Sequence, residues 1–261
     1  MNSRERVMTA LNHLEPDRVP VDMKLTIDVY KELRLYLGLL HLPEQLKMGQ
    51  WTEVEMPIDM IQALDLDIYY TASRRVDSVH SKTFEDGSFV DEWGVYWKKT
   101  MVDNGHFYFE VQNPPLANAS IADLDAYEWP DPTDPGRFSG MREELEVVRS
   151  QTDLAILAKL GGAVFEVATF MRGHERWYRD LVSNQPFAHA LMAKIAFIQK
   201  EIDRRGLDEL GDLIDIFRIG GEDLGMQDRP LVSPKTFKNV LKPHLKELWS
   251  YAKARLLEKN P

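Results

Sequence analysis

Two short stretches of this sequence set ionisable side chains near glycine, whose missing side chain lets a ligand approach the backbone. In Gly220-Gly221-Glu222-Asp223-Leu224-Gly225-Met226-Gln227, two adjacent carboxylates follow a glycine pair. Glu222 and Asp223 read as catalytic or ligand-orienting groups, and Gln227 as a hydrogen-bond partner for substrate. The competing reading is a solvated acidic turn in which Asp223 caps a short helix and Gln227 serves its own loop. Glu166 lies just past Gly161-Gly162-Ala163, where a helix should begin, so its carboxylate either faces a pocket or simply favours the helix dipole. Arg74, followed by Arg75, could hold an anionic group by paired hydrogen bonds or form an ordinary surface salt bridge. Lys24 is the cation that follows the first extended run.

Metal chemistry has little to build on within these residues. Cysteine is absent, and the histidines at 13, 41, 80, 106, 174, 189 and 244 show neither His-x-x-x-His nor His-x-Glu-x-x-His spacing. With 42 acidic against 32 basic side chains, a formal charge of -10 opposes binding to nucleic acid or an anionic membrane. The start, Met1-Asn2-Ser3-Arg4-Glu5-Arg6, leads into a charged amphipathic segment unlike a secretory signal. No apolar run approaches the roughly 18 residues of a membrane span. A cytoplasmic protein is expected.

The elements that must position these groups alternate between strand and helix. Ser3 is expected to cap a helix from Arg4 to about His13, and Val19-Pro20-Val21-Asp22-Met23 reads as a first buried strand, followed by a helix from about Asp28 to Leu37. A helix from Ile58 to Leu64 leads into a second strand, Leu66 to Thr71. Between Val79 and Trp97, β-rich runs flank Glu85-Asp86-Gly87, a turn signal that places an extra β-hairpin outside the main rhythm. The aromatic clusters Trp93, Tyr96, Trp97 and Phe107, Tyr108, Phe109 fit that hairpin's apolar face, or else the lining of a flat ligand's pocket. His106, nearby, is expected to be packed or solvated. The proline-rich stretch from Pro114 to Gly140 reads as a surface connection. The rhythm then resumes with a helix from Met141 to Ser150, a strand from Asp153 to Leu160, helical segments from about Val164 to Arg205 and a strand from Leu213 to Ile219. A last helix starts at Ser233-Pro234 and runs to about Glu258.

Strands alternating with helices imply a parallel sheet with right-handed crossovers. Only about four such strands are present, near Val21, Ile68, Ile156 and Ile216, whereas a barrel has no edges. The expectation is an α/β chain, a single incomplete (β/α)8 TIM-barrel domain over residues 1–261, truncated after about four barrel strands. A four-stranded open sandwich is the alternative.

Several stretches resemble the uroporphyrinogen decarboxylase superfamily. They are Ser3 to Val7, Leu14-Glu15-Pro16-Asp17-Arg18-Val19-Pro20-Val21, Asp91-Glu92-Trp93-Gly94-Val95, Trp129-Pro130-Asp131-Pro132, Gly221 to Gln227, and Pro230-Leu231-Val232-Ser233-Pro234. The resemblance implies a (β/α)8 barrel whose active site lies at the C-terminal ends of the strands. It also implies one of two chemistries: cofactor-free decarboxylation of uroporphyrinogen, or zinc-dependent methyl transfer from a corrinoid to a thiol or other acceptor. The decarboxylase pattern of arginines after strand one is replaced here by Met23-Lys24-Leu25-Thr26-Ile27-Asp28. Its pocket aspartate is replaced by Thr71-Ala72-Ser73-Arg74, and its tyrosine by Phe170, which cannot donate a hydrogen bond.

A corrinoid-linked methyltransferase is therefore the expected function, with a decarboxylase of a different tetrapyrrole next and a non-catalytic fragment or binding module third. Glu222 and Asp223 are the expected catalytic residues, and Lys24, Arg74, Glu166 and Gln227 the expected substrate-binding ones. The expected partners are a small-molecule substrate, a corrinoid protein and a second copy in a homodimer. Zinc, as the resemblance implies it, would take ligands beyond Pro261. A half-barrel with open edges is expected to be unstable, aggregated or completed by another chain.

Overall fold

The computed structural model describes residues 1–45, 53–102 and 105–259. Helix α1 (Ser3–Leu11) begins one residue earlier than the hydroxyl at Ser3 suggested. Asn2 accepts the Glu5 N–H at 2.8 Å and the Glu5 carboxylate accepts the Asn2 N–H at 3.0 Å, a reciprocal capping box. Residues 19–23 are extended but do not form the expected buried strand. Pro20 has no N–H, and the Val21 N–H is taken by the Asp67 side chain at 2.8 Å rather than by a neighbouring backbone. Only the Val21 carbonyl makes a ladder-like bond, to the Asp67 N–H at 2.9 Å, and Val19 is 79% exposed.

Helices α2 (Ile27–Tyr36) and α3 (Ile58–Ala63) lead into β1 (Ile68–Ala72). Next come β2 (Lys82–Thr83), β3 (Phe89–Val90), β4 (Tyr96–Met101) and β5 (Phe107–Gln112), an antiparallel sheet in that order. Its first turn works through Asp86, whose carboxylate accepts the Ser88 N–H at 2.9 Å, and Gly87, which takes φ 84°. The sheet has two strands more than a single hairpin, and its inner face carries the buried Phe89, Trp97 and Phe109. His106, half-exposed, pairs with Asp28 at 2.8 Å.

The proline-rich stretch from Pro114 to Gly140, expected to be a plain surface connection, contains a helix, α4 (Ile121–Ala126), capped by Ser120, and a 3-10 turn, Pro135–Phe138. It is not wholly superficial, because Arg137 is 1% exposed, donates to the Asp131 carbonyl at 2.8 and 3.0 Å and pairs with Glu92. Helix α5 (Met141–Gln151) precedes β6 (Ala155–Lys159), and α6 (Phe165–Arg172), α7 (His174–Ser183) and α8 (Gln185–Leu210) connect β6 to β7 (Ile216–Phe217). Ser233 caps the short α9 (Pro234–Thr236), which is joined to α10 (Lys242–Lys259) by a wide π turn. Pro243, lacking the N–H that would close a regular helical turn there, accounts for the widening.

The parallel sheet has the order β1-β6-β7, with Tyr69 opposite Ile156 and Leu157 opposite Ile216. The central strand places Ala155, Ile156 and Ala158 in the core, and Leu191, Met192 and Ile195 of α8 are fully buried as well. This α/β arrangement of parallel strands with helical crossovers fits an arc of a (β/α)8 barrel. Among the described residues no helix is long and apolar enough to cross a membrane.

The N-terminal ends of the strands are held by ion networks. Asp67, fully buried before β1, accepts Arg6 Nη1 at 2.6 Å, Arg18 Nη1 at 2.7 Å and the Val21 N–H. Burial alone would raise its carboxyl; the Val21 N–H and the two arginines hold it below the usual range. Asp215 likewise accepts the Ile156 N–H at 2.8 Å together with Arg149 and Arg4. Asp67→Ala would leave two guanidinium groups facing a void, and we expect it to lower unfolding stability by about 3 kcal/mol. A urea midpoint indistinguishable from wild type would show that this network does not anchor the sheet.

Candidate active site

At the opposite, C-terminal ends of the parallel strands lies an open cleft of about 480 Å³. That size suits a small organic ligand. Lys159 ends β6, Arg218 follows β7, and Glu166 projects from the first turn of α6; all three line the cleft. Trp97 of the antiparallel sheet and Phe170 of α6 close one side, their ring centroids 5.0 Å apart in an edge-to-face pair. Lys24 reaches the cleft over the ring of Tyr70, 4.2 Å from its centroid, and shares its charge with Glu53 at 3.3 Å. A smaller cavity of about 80 Å³, lined by Tyr69, Arg74 and Glu144, has room only for a few waters.

The loop from β6 into α6 is held almost entirely by side chains from elsewhere. Gly161 N–H donates to Asp203 Oδ1 at 2.6 Å, and Gly162 N–H to Gln199 Oε1 at 2.6 Å. The Glu222 carboxylate accepts the N–H groups of Val164 at 2.8 Å, Phe165 at 2.9 Å and Glu166 at 3.3 Å. A helix start leaves such donors unpaired and carries partial positive charge, so one carboxylate satisfies both needs. The two glycines are required for a close approach, but by the protein rather than by a ligand. A Cβ at Gly161 would stand 2.7 Å from Asp203 Oδ1, and one at Gly162 2.7 Å from Gln199 Nε2.

The residues singled out from the sequence are thus divided. Glu166 and Lys24 line the cleft. Glu222 lies behind it, with both carboxylate oxygens engaged by the α6 backbone. Asp223 is exposed and accepts the Gly225 N–H at 3.2 Å within its own turn. Gln227 is exposed at the far end of the same loop, between Met226 and Arg229, whose N–H and carbonyl bond at 2.9 Å. Arg74 pairs with Glu144, which also accepts the Tyr69 hydroxyl at 2.9 Å, and does not line the cleft. Arg75 donates to the Val90 carbonyl and lies over Phe89.

Lys159, Arg218 and Asp203 escaped the sequence reading. A signal was present for the first two: each is a charge interrupting an apolar strand, in Ala155-Ile156-Leu157-Ala158-Lys159-Leu160 and Ile216-Phe217-Arg218-Ile219. Asp203 carried none, being one acid among many on a long helix.

Burial governs the electrostatics. The Glu166 carboxyl is pushed up to about 7 by burial and by the neighbouring Glu222, with Lys159 opposing. Glu222 is raised by burial, offset in part by its three backbone donors. The Lys159 ammonium is lowered by burial and then by Arg218.

Asp203 is raised by burial to about 7 from an ordinary 3.8, against the opposing Gly161 N–H. Between those two values the folded chain holds a proton that the unfolded chain releases, so this group's contribution to stability is present in acid and lost as pH rises toward 7. Asp203→Asn keeps an acceptor for Gly161 without the charge. Its stability relative to wild type should therefore improve by about 2 kcal/mol between pH 5 and pH 8. Parallel denaturation curves at the two pH values with equal offsets would contradict the assignment.

The uroporphyrinogen decarboxylase (URO-D) family profile matches residues 107–258, from β5 through most of α10. A methyltransferase from Methanosarcina mazei is a similar solved structure at 17% identity, with 97% of this chain and 67% of that chain covered and a TM-score of 0.49. No curated protein matches the sequence. The family match covers more than half of the 261 residues, and on that basis the chain belongs to the uroporphyrinogen decarboxylase family.

Proposed function

We propose that this chain is a methyltransferase-like enzyme of the family, acting in corrinoid-linked one-carbon transfer with a corrinoid protein as its partner. The observation that supports this over uroporphyrinogen decarboxylation is the cation count in the cleft. Lys159 and Arg218 have no carboxylate within salt-bridge distance among the described residues, while Lys24 is shared with Glu53 and Arg137 is held by Glu92. An eight-carboxylate tetrapyrrole in such a cleft would leave most of its charges unmatched, at several kcal/mol each on the order of buried-ion penalties. A small substrate needs no more than the cleft offers.

When bound, a corrinoid on the partner supplies the methyl group. The chain's own part is to hold the acceptor and take up the proton it loses on methylation. Glu166, with a carboxyl near neutrality, is suited to that proton. Glu222 acts through it as a positioning residue by fixing the first turn of α6. Among the described residues no cluster of three or more His, Cys, Asp or Glu is placed to hold a metal ion, and the sequence has no cysteine. These residues do not fit a thiolate- and imidazole-ligated zinc; zinc enters the proposal only through ligands outside residues 1–261.

The test is an assay of the protein against methylcobalamin plus a thiol acceptor and, in parallel, against uroporphyrinogen. We expect loss of the methylcobalamin spectrum and no decarboxylation. Conversion of uroporphyrinogen would overturn the proposal, and inertness in both assays would favour a binding module. For the active enzyme, the rate should fall as pH drops below about 7 because protonated Glu166 cannot accept a proton. Glu166→Gln should lower kcat by on the order of 100-fold and abolish that acid limb. An unchanged pH profile in the variant would remove Glu166 from the chemistry.

A further inference from the structure

We infer that the molecule held in the cleft is a small organic acid whose carboxylate is gripped by Lys159 and Arg218 and whose apolar body lies against Trp97 and Phe170. This rests on the enzyme reading only for placing the substrate in the cleft; the anion grip itself is argued from charge and shape.

Two like charges set side by side repel, and in a partly desolvated cleft the repulsion is stronger than in water. Such a pair is ordinarily relieved by carboxylates of the protein. Most of the nearby carboxylates are committed elsewhere, and Asp22, which feels the charges of Lys24 and Arg218, forms no ion pair with either among the described residues. Glu222 is bound by three amides of α6, and Glu53 is shared with Lys24 at 3.3 Å. Glu92 is paired with the buried Arg137, and Asp91 accepts the N–H groups of Trp93 and Val95 and the Trp97 indole at 2.8–2.9 Å. Glu166 reaches Lys159 only through its field, and it is itself partly protonated at neutral pH. Five amides of the loop and helix start, where an anion is often received, are also filled, by Glu222, Gln199 and Asp203, which leaves the Lys159 and Arg218 side chains as the cations of the cleft without an ion-pair partner among the described residues.

The head group follows from this arrangement. A guanidinium offers two parallel donors to a planar carboxylate, with the ammonium of Lys159 as a third. The far side of the cleft sets the body: Trp97 is 5% exposed and fixed by its indole bond to Asp91, so it presents a rigid face rather than a mobile one. Its edge-to-face partner Phe170 continues that face. The positive end and the flat apolar end share one cleft of about 480 Å³, enough for an acid with one ring or a short chain.

Direct binding to the full chain tests this without any turnover, using benzoate, benzamide and phenyl phosphate as probes followed by calorimetry or ligand-observed NMR. Benzoate should bind saturably and at least tenfold more tightly than benzamide. Lys159→Met and Arg218→Gln should each weaken benzoate at least tenfold and leave benzamide unchanged. Lys159→Arg, which keeps the charge, should retain binding within about threefold and so separates lost charge from lost folding. Equal binding of benzoate and benzamide, or no saturable binding of benzoate up to about 10 mM, overturns the inference, since a specific two-point grip should exceed that affinity. Phenyl phosphate binding tenfold tighter than benzoate overturns the carboxylate head in favour of a phosphate. Failure of methyl transfer with benzoate binding intact would sink the proposed reaction and leave the anion grip standing.

Discussion

The Glu222 carboxylate on the first turn of α6 is the contact on which the rest of the site depends. It joins the loop after β7 to the helix after β6, two segments that a parallel sheet places side by side only because their strands are neighbours. Asp203 and Gln199 complete the lock from α8 on the two preceding glycines. Five backbone donors that would otherwise attract a bound anion are thereby satisfied internally. The lock has an electrostatic cost, visible in the raised carboxyls of Glu222 and Asp203. Its consequence is a rigid lip that fixes where Glu166 stands and leaves anion recognition to Lys159 and Arg218.

A second constraint comes from the inserted antiparallel sheet. Its strands bring Trp97 against Phe170 on one side of the cleft, Asp91 ties the loop between β3 and β4 to Trp97, and the Arg137–Glu92 pair fastens that loop to the proline-rich segment. Arg137, the largest charged side chain among the nearly fully buried described residues, is bonded to a carbonyl and a carboxylate. A buried charge so satisfied is tolerated and holds its partners in one arrangement.

The two ends of the parallel strands divide the labour as barrel-like folds do. At the N-terminal ends, Asp67 and Asp215 collect arginines and backbone donors and close the chain's beginning onto the sheet. At the C-terminal ends, charged groups are left facing a cleft. The same residue types thus serve stability in one place and chemistry in the other, and the difference is whether a counter-charge lies within reach.

Sequence by itself determined the local elements and the family. Apolar runs located β1, β6 and β7; prolines, glycines and capping residues located the helix limits to within a few positions; and Asp86-Gly87 marked the first turn of the antiparallel sheet. It misjudged residues 19–23, because an extended run beside a proline looks the same whether its N–H meets a strand or a carboxylate. It also chose the polar and charged residues without knowledge of their distant partners, favouring Glu222, Asp223, Gln227 and Arg74 beside Lys24 and Glu166, and passing over Lys159 and Arg218. Only the tertiary structure decided which of them face the cleft. Glu222 meets its partners 56 to 58 positions away and Arg74 meets Glu144 70 positions away, so whether a charge is spent or free depends on contacts between distant segments that no local pattern records.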